Sequence, residues 1–353
     1  MRPAHLAVLA AGLIFGVGAQ AADDAAEWLA TMSHAARAAN YEGVLVYQGD
    51  EVLETFRVTH RFAEGSERER VQSMTGEVRE VLKQNDKLTC LLPKDLRVTA
   101  HRAATPKGLF RPLSSERLTQ IASVYDLRDI GKDRIAGRNC RGIAIVPRDD
   151  FRYGYQVWAD IQTGVPLKLS LVTRDGKPLE RMYFTDVHFP KTIPDSAFEA
   201  TASVDETRES AETAADAIAQ AHQQEPLADA STLAESSRAQ FSQLPPGFRV
   251  VRRSVSVSPA GMREHLVLSD GLSAVSVYRV VRRASEATTT DATVQRLDQM
   301  GPVNAYSRTA GQVQITVVGE APRRTIKMIG DNFEATAASL ALPAATGETV
   351  SPR

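Results

Sequence analysis

An α+β fold of two antiparallel units is the architecture this sequence predicts, and three observations predict it. Short apolar runs with strand-like alternation, bounded by Gly, Asp and Pro, recur along most of the chain. Helical spacing of apolar residues is confined to a few stretches, which places the helices on one face of a large antiparallel sheet. No aromatic residue lies between Phe198 and Phe241, and 353 residues exceed what one core usually holds, so that gap divides two units.

The elements follow in order. Residues 1–21 read as a secretory signal peptide: Arg2 precedes an almost wholly apolar run over 6–17, and Ala19, Gln20 and Ala21 form a small-x-small cleavage site. That run falls short of the ~20 residues a membrane-spanning helix needs, so cleavage near Ala21 and a soluble exported protein are expected. Asp23 or Asp24 is placed to cap a first helix carrying Trp28, Leu29, Met32, Ala35 and Ala36 on one face, ended by Asn40 and Gly43. Strands are expected over 43–48, 52–61, 77–83, 88–92, 96–101, 141–146, 153–160 and 167–173, with one helix over 113–124. Asp175-Gly176 signals a two-residue type I′ turn into a strand over 179–187. These elements make a first domain over 22–200.

Residues 201–243 have linker composition, with a helix of their own possible over 211–223. Beyond them, strands over 248–258, 264–268, 272–281 and 312–318 and a closing helix over 322–342 make a second domain over 244–346. Pro322 stands at a tolerated first-turn position there, and Ile326, Ile329 and Phe333 share a face.

The 42 basic and 43 acidic residues nearly cancel, but their distribution is uneven. The linker carries eight acidic residues against two arginines, whereas 13 basic residues face nine acidic ones from Leu244 onward. So small a basic excess fits an acidic partner or lipid phosphates, and fits a solvated arginine surface equally well. The two cysteines, Cys90 and Cys140, belong to an exported chain, where thiols tend to pair. One disulfide between them is the economical reading, and two buried free thiols are the alternative.

Enzyme motifs are missing: there is no GxSxG elbow, HExxH helix, Cys-x-x-Cys pair or P-loop. The histidines show no ligand spacing, so neither a metal nor another cofactor is expected. Arg148, Asp149 and Asp150 read as a solvated turn. Nucleic acid is excluded as a partner by export and by the lack of a dense basic patch with interleaved aromatics. Two features point instead to binding. A curved sheet covered by few helices can leave an apolar cavity, the alternative being a filled core. Phe151, Tyr153 and Tyr155 share one strand face near Trp158, as a packing stripe or a recognition strip.

Several segments taken together resemble the MucB/RseB family of periplasmic regulators of the envelope-stress sigma factor. In the first domain these are YEGVLVY (41–47), RIAGRNC (134–140) and PRDDFRYGYQVWADIQTGVPLK (147–168). In the second they are LPPGF (244–248), HLVLSDGLSAVSVY (265–278), NAYSR (304–308) and VQITVVGEAP (313–322). The linker matches nothing in the pattern.

The resemblance implies a LolA-like antiparallel half-barrel with helices, followed by a smaller antiparallel sheet with a helix. It also implies a non-enzymatic regulator that binds the periplasmic segment of a membrane-spanning anti-sigma factor, protects it from proteolysis, and is released by lipopolysaccharide or other lipid. A LolA-like carrier of lipid or lipoprotein acyl chains is the alternative. From alternate strand positions, Val44, Val46, Phe56, Val58, Tyr155 and Val157 are the expected acyl-chain lining, with the inward face left open. Tyr278, Arg279, Arg282 and Arg283 are the expected partner contacts, because tyrosine and arginine tend to carry interface energy. The sequence leaves the oligomeric state open, homo-oligomers included.

Overall fold

The computed structural model describes residues 17–50, 52–76, 78–85, 87–92, 96–101, 115–199, 240–258, 261–282 and 294–334. The expected linker therefore lies outside the described residues, apart from 240–243, and so does most of the stretch expected to be a signal peptide.

The N-terminal unit begins with α1 (Val17–Ala38) and continues through β1 (Tyr41–Gln48), β2 (Leu53–Ala63), β3 (Ser66–Ser73), β4 (Glu80–Gln84), β5 (Lys87–Leu92) and β6 (Leu96–His101). After α2 (Ser115–Val124) come β7 (Tyr125–Ile135), β8 (Arg138–Pro147), β9 (Gly154–Asp160), β10 (Pro166–Val172) and β11 (Pro178–His188). All eleven strands form one open sheet in the order β6-β5-β4-β3-β2-β1-β11-β10-β9-β8-β7. Its pairings are antiparallel, and its two edge strands are not hydrogen-bonded to each other.

Register decides which side chains meet the helices, because cross-strand partners share a face. Ile143, Val157, Leu169, Met182 and Tyr47 are successive partners across β8, β9, β10, β11 and β1. Most of that row packs with Leu29 and Met32 of α1 and Ile121 of α2 in one core. The opposite face carries Trp158, Lys168, Tyr183 and Val46.

The C-terminal unit comprises β12 (Arg249–Ser258), β13 (Gly261–Ser269), β14 (Ala274–Arg282), β15 (Val294–Met300), β16 (Val303–Ala310), β17 (Val313–Glu320) and α3 (Arg323–Asn332). Its six strands are ordered β12-β13-β14-β17-β16-β15. Leu266, Val277, Val317 and Tyr306 are partners across four of them and pack with Ile326, Ile329 and Phe333 in the second core.

Several expectations need correction. The first helix starts before Asp23 and Asp24, which lie inside it and do not cap it. Strands β3, β7, β15 and β16 form in stretches that the sequence leaves unassigned. Only Gly176 has positive φ at the 175–176 turn, so it is not type I′; the loop is held by Thr173 N donating to Lys177 O and Gly176 N to Thr173 O. The last helix ends at Asn332, short of the expected 342, because Phe333 turns extended and bridges to Phe241.

The expected disulfide is not formed. Cys140 is a free, buried thiol packed with Ala35, Val165 and Leu167. It lies on β8, eight strand positions along the sheet from the β5 strand that holds Cys90.

Candidate functional site at the junction of the two sheets

The units meet where one end of the C-terminal sheet abuts α2 and the β8–β9 loop. The hairpin turn between β13 and β14 enters this junction, and Asp270, Gly271, Leu272 and Ser273 are all buried. Turn tips are normally solvated, because their backbone groups need partners. Here the partners are internal. Asp270 Oδ1 accepts from Leu272 N at 3.0 Å and Ser273 N at 2.8 Å, Gly271 N donates to Ser269 Oγ, and Arg117 Nε donates to Gly271 O at 2.7 Å. Gly271 has φ +105°, and a Cβ there would sit 3.2 Å from Ile121, so the turn needs glycine for both conformation and space.

Across the junction, Arg152 and Asp270 form an ion pair at 2.8 Å with both side chains 0% exposed. Arg152 also grips Asp149 through Nε and Nη2, donates to Pro246 O, and lies between the rings of Tyr125 and Phe248. Burial alone disfavours its charge, but the bonds to Asp149 and the charge of Asp270 outweigh that and raise its pKa. Tyr125 OH donates to Asp270 Oδ2 at 2.9 Å; burial and the Asp270 charge push that phenol well above its usual value. Asp149 is thus part of a buried network, whereas the sequence suggested a solvated turn.

Further bonds surround this pair. Thr325 Oγ1 donates to the carbonyl of Phe151, Arg249 donates to Gln120, and Asn304 Nδ2 donates to Tyr153 OH. Phe151 and Tyr153 precede β9, so with Tyr155 they do not form the expected stripe on one strand face; all three nevertheless reach the other unit, Phe151 under Arg324, Tyr153 at Asn304 and Tyr155 at Glu320.

Of the expected partner contacts, Tyr278 lies on the sheet face opposite α3, stacked on His265 with ring centroids 4.3 Å apart. Val267, Ser276, Thr316 and Val318 share that face. Arg279 does not: it is 1% exposed, pairs with Glu264 at 2.5 Å and lies over the Phe333 ring, so it is part of the core. Arg282 ends β14 with its side chain outside the described residues, and Arg283 lies outside them altogether.

The expected acyl lining does not share one face. Phe56, Val58, Tyr155 and Val157 belong to the helix-facing side, and Val44 and Val46 to the other. Val58, Tyr155 and Val157 are buried among the protein's own side chains. A groove of about 630 Å³ opens on the far face beside Trp158, Lys168, Arg181 and Tyr183, and none of the six lines it. Among the described residues, no group of three or more His, Cys, Asp or Glu could hold a metal ion, and no helix is long and apolar enough to cross a membrane.

Arg152, Asp270 and Leu272 were not singled out by residue type. Each nevertheless sits in a stretch that carried the resemblance, PRDDFRYGY and HLVLSDGLS, and the junction is where these two stretches meet.

An eleven-stranded open sheet joined by a buried junction to a six-stranded sheet defines a two-domain α+β protein. Comparison with known proteins gives its family. The MucB/RseB N-terminal domain model matches residues 24–202 and the MucB/RseB C-terminal domain model matches residues 234–334. The chain is 30% identical to the sigma factor AlgU regulatory protein MucB of Pseudomonas aeruginosa over 347 residues, covering 96% of this chain and 99% of that protein. It is 26% identical to the sigma-E factor regulatory protein RseB of Escherichia coli over 339 residues, covering 93% and 96%. Among solved structures, the MucA/MucB complex of Pseudomonas aeruginosa superposes with a TM-score of 0.64 at 26% identity, covering 89% of this chain and 99% of that one. A crystal structure of MucB in complex with MucA(peri) also gives 0.64, at 27% identity over 89% and 100%. The chain belongs to the MucB/RseB family.

Proposed function

We propose that this chain is a non-enzymatic periplasmic regulator, exported with removal of residues 1–21. It binds the periplasmic segment of a membrane-spanning anti-sigma factor, protects that segment from regulated proteolysis, and releases it in response to lipopolysaccharide or another acyl-chain signal. One observation carries the reading: both domains match, nearly end to end, a relative crystallised with MucA(peri). The face of the C-terminal sheet that carries Tyr278, opposite α3, supports a docking role, and it adjoins the junction through Glu320, which accepts from Tyr155 OH at 3.5 Å. A carrier of acyl chains would need the half-barrel alone and gives no reason for a buried junction with the second domain.

Calorimetric titration of the mature chain with the periplasmic segment of the anti-sigma factor tests this directly. The reading expects saturable one-to-one binding, weakened about tenfold in Tyr278→Ala, which corresponds to roughly 1.4 kcal/mol. It also expects slower cleavage of the bound segment by its protease. Absence of binding by the intact chain contradicts it.

A further inference from the structure

The β13–β14 turn does more than join two strands. Leu272 is 6% exposed and belongs to the core of the N-terminal domain, with Leu29 of α1, Ile121 and Val124 of α2, Tyr125 and Tyr155. A side chain of the second domain thus fills apolar space of the first. Asp270 and Arg152 hold it there, and two further bonds cross the junction to the turn, from Tyr125 OH to Asp270 Oδ2 and from Arg117 Nε to Gly271 O. Removing the turn leaves an apolar opening below α2, and a flexible alkyl chain is the chemistry that refills such a space.

We infer that this turn is an internal plug that competes with an alkyl chain for the interior of the N-terminal domain. Docking of the C-terminal domain and entry of a lipid chain are then mutually exclusive. The inference rests on the lipid-responsive reading above and supplies its coupling element: a ligand that displaces Leu272 also separates Arg152 from Asp270 and frees the second domain to reorient. Linkage makes the competition reciprocal, so weakening the plug strengthens alkyl binding by the same factor.

The test uses the mature full-length chain and dansyl-labelled undecanoic acid as probe. Leu272→Ala shortens the plug, and Asp270→Asn loosens its anchor. Both variants are expected to bind the probe at least tenfold more tightly than the wild type, with native far-ultraviolet circular dichroism retained. On the wild type, saturating probe is expected to speed hydrogen exchange of the 269–273 amides at least tenfold, a measurement that does not depend on a variant folding. Equal probe affinity in all three proteins, or unchanged exchange in this turn on saturation, overturns the plug and leaves the lipid-responsive reading standing. Failure of all three to bind the probe overturns that reading, and the plug with it.

Discussion

Replacing Arg152 with methionine is the sharpest perturbation of the junction. The side chain is fully buried and makes four hydrogen bonds, two to Asp149 and one each to Asp270 and Pro246. Methionine keeps much of the packing against Tyr125 and Phe248 but leaves Asp270 with no cation while its side chain remains 0% exposed. Its Oδ2 then retains only the Tyr125 hydroxyl. Stranding a buried carboxylate costs about 3–5 kcal/mol, whereas an exposed pair is worth ~1 kcal/mol or less. Arg152→Met should therefore shift the urea midpoint by the larger amount. Adding Asp270→Asn removes the stranded charge and should recover a substantial part of the loss, a non-additivity expected of residues in one network. A loss below about 1 kcal/mol, or a double variant no more stable than Arg152→Met, refutes the assignment of Arg152–Asp270 as a buried interdomain pair.

Three other outcomes follow from the structure. Burial, then the charge of Asp160, pushes the Cys140 thiol up to about 11, so in the folded protein it should stay unmodified by a thiol reagent at pH 8 and react only in denaturant. Glu67 is held at about 2 instead of 4.5: burial would raise it, but the bonds from His60 and Lys83 prevail. That shift contributes on the order of 3 kcal/mol, fully present above pH 4.5 and lost as pH falls towards 2. Acid titration of stability should show this limb in the wild type and a flatter one in Glu67→Gln. Gly330→Ala gains helix propensity but sets a Cβ 2.3 Å from the buried Tyr306 ring, so it should destabilise by about 1–3 kcal/mol in thermal unfolding.

What the sequence disclosed depended on whether a residue's role was local. Alternation at Phe56 and Val58, or around Tyr155 and Val157, marks a strand with one apolar face, and those strands form where expected. Strand β3 carries SERERVQS and β7 carries YDLRDIGKDRI, in which charge masks the period; β7 is an edge strand exposed through its middle, so nothing selects apolar residues there. The junction was hidden for a different reason. Arg152 and Asp270 are 118 positions apart, and each alone looks like a surface charge beside a turn. Arg279 misled in the same way, since a strand-end arginine gives no hint that Glu264 on the neighbouring strand buries it. Which sheet face turns inward is set by α1 and α2, and this separates Val44 and Val46 from the other four residues expected beside them.

The central claim is that a lipid signal and the anti-sigma segment oppose each other on this chain. The most direct measurement is the dissociation constant of the periplasmic segment for the mature protein, with and without a saturating lipid A-like ligand. Coupling energies between sites typically run to ~1–3 kcal/mol, so the account predicts a constant raised about 5- to 150-fold. An unchanged constant at saturation contradicts it.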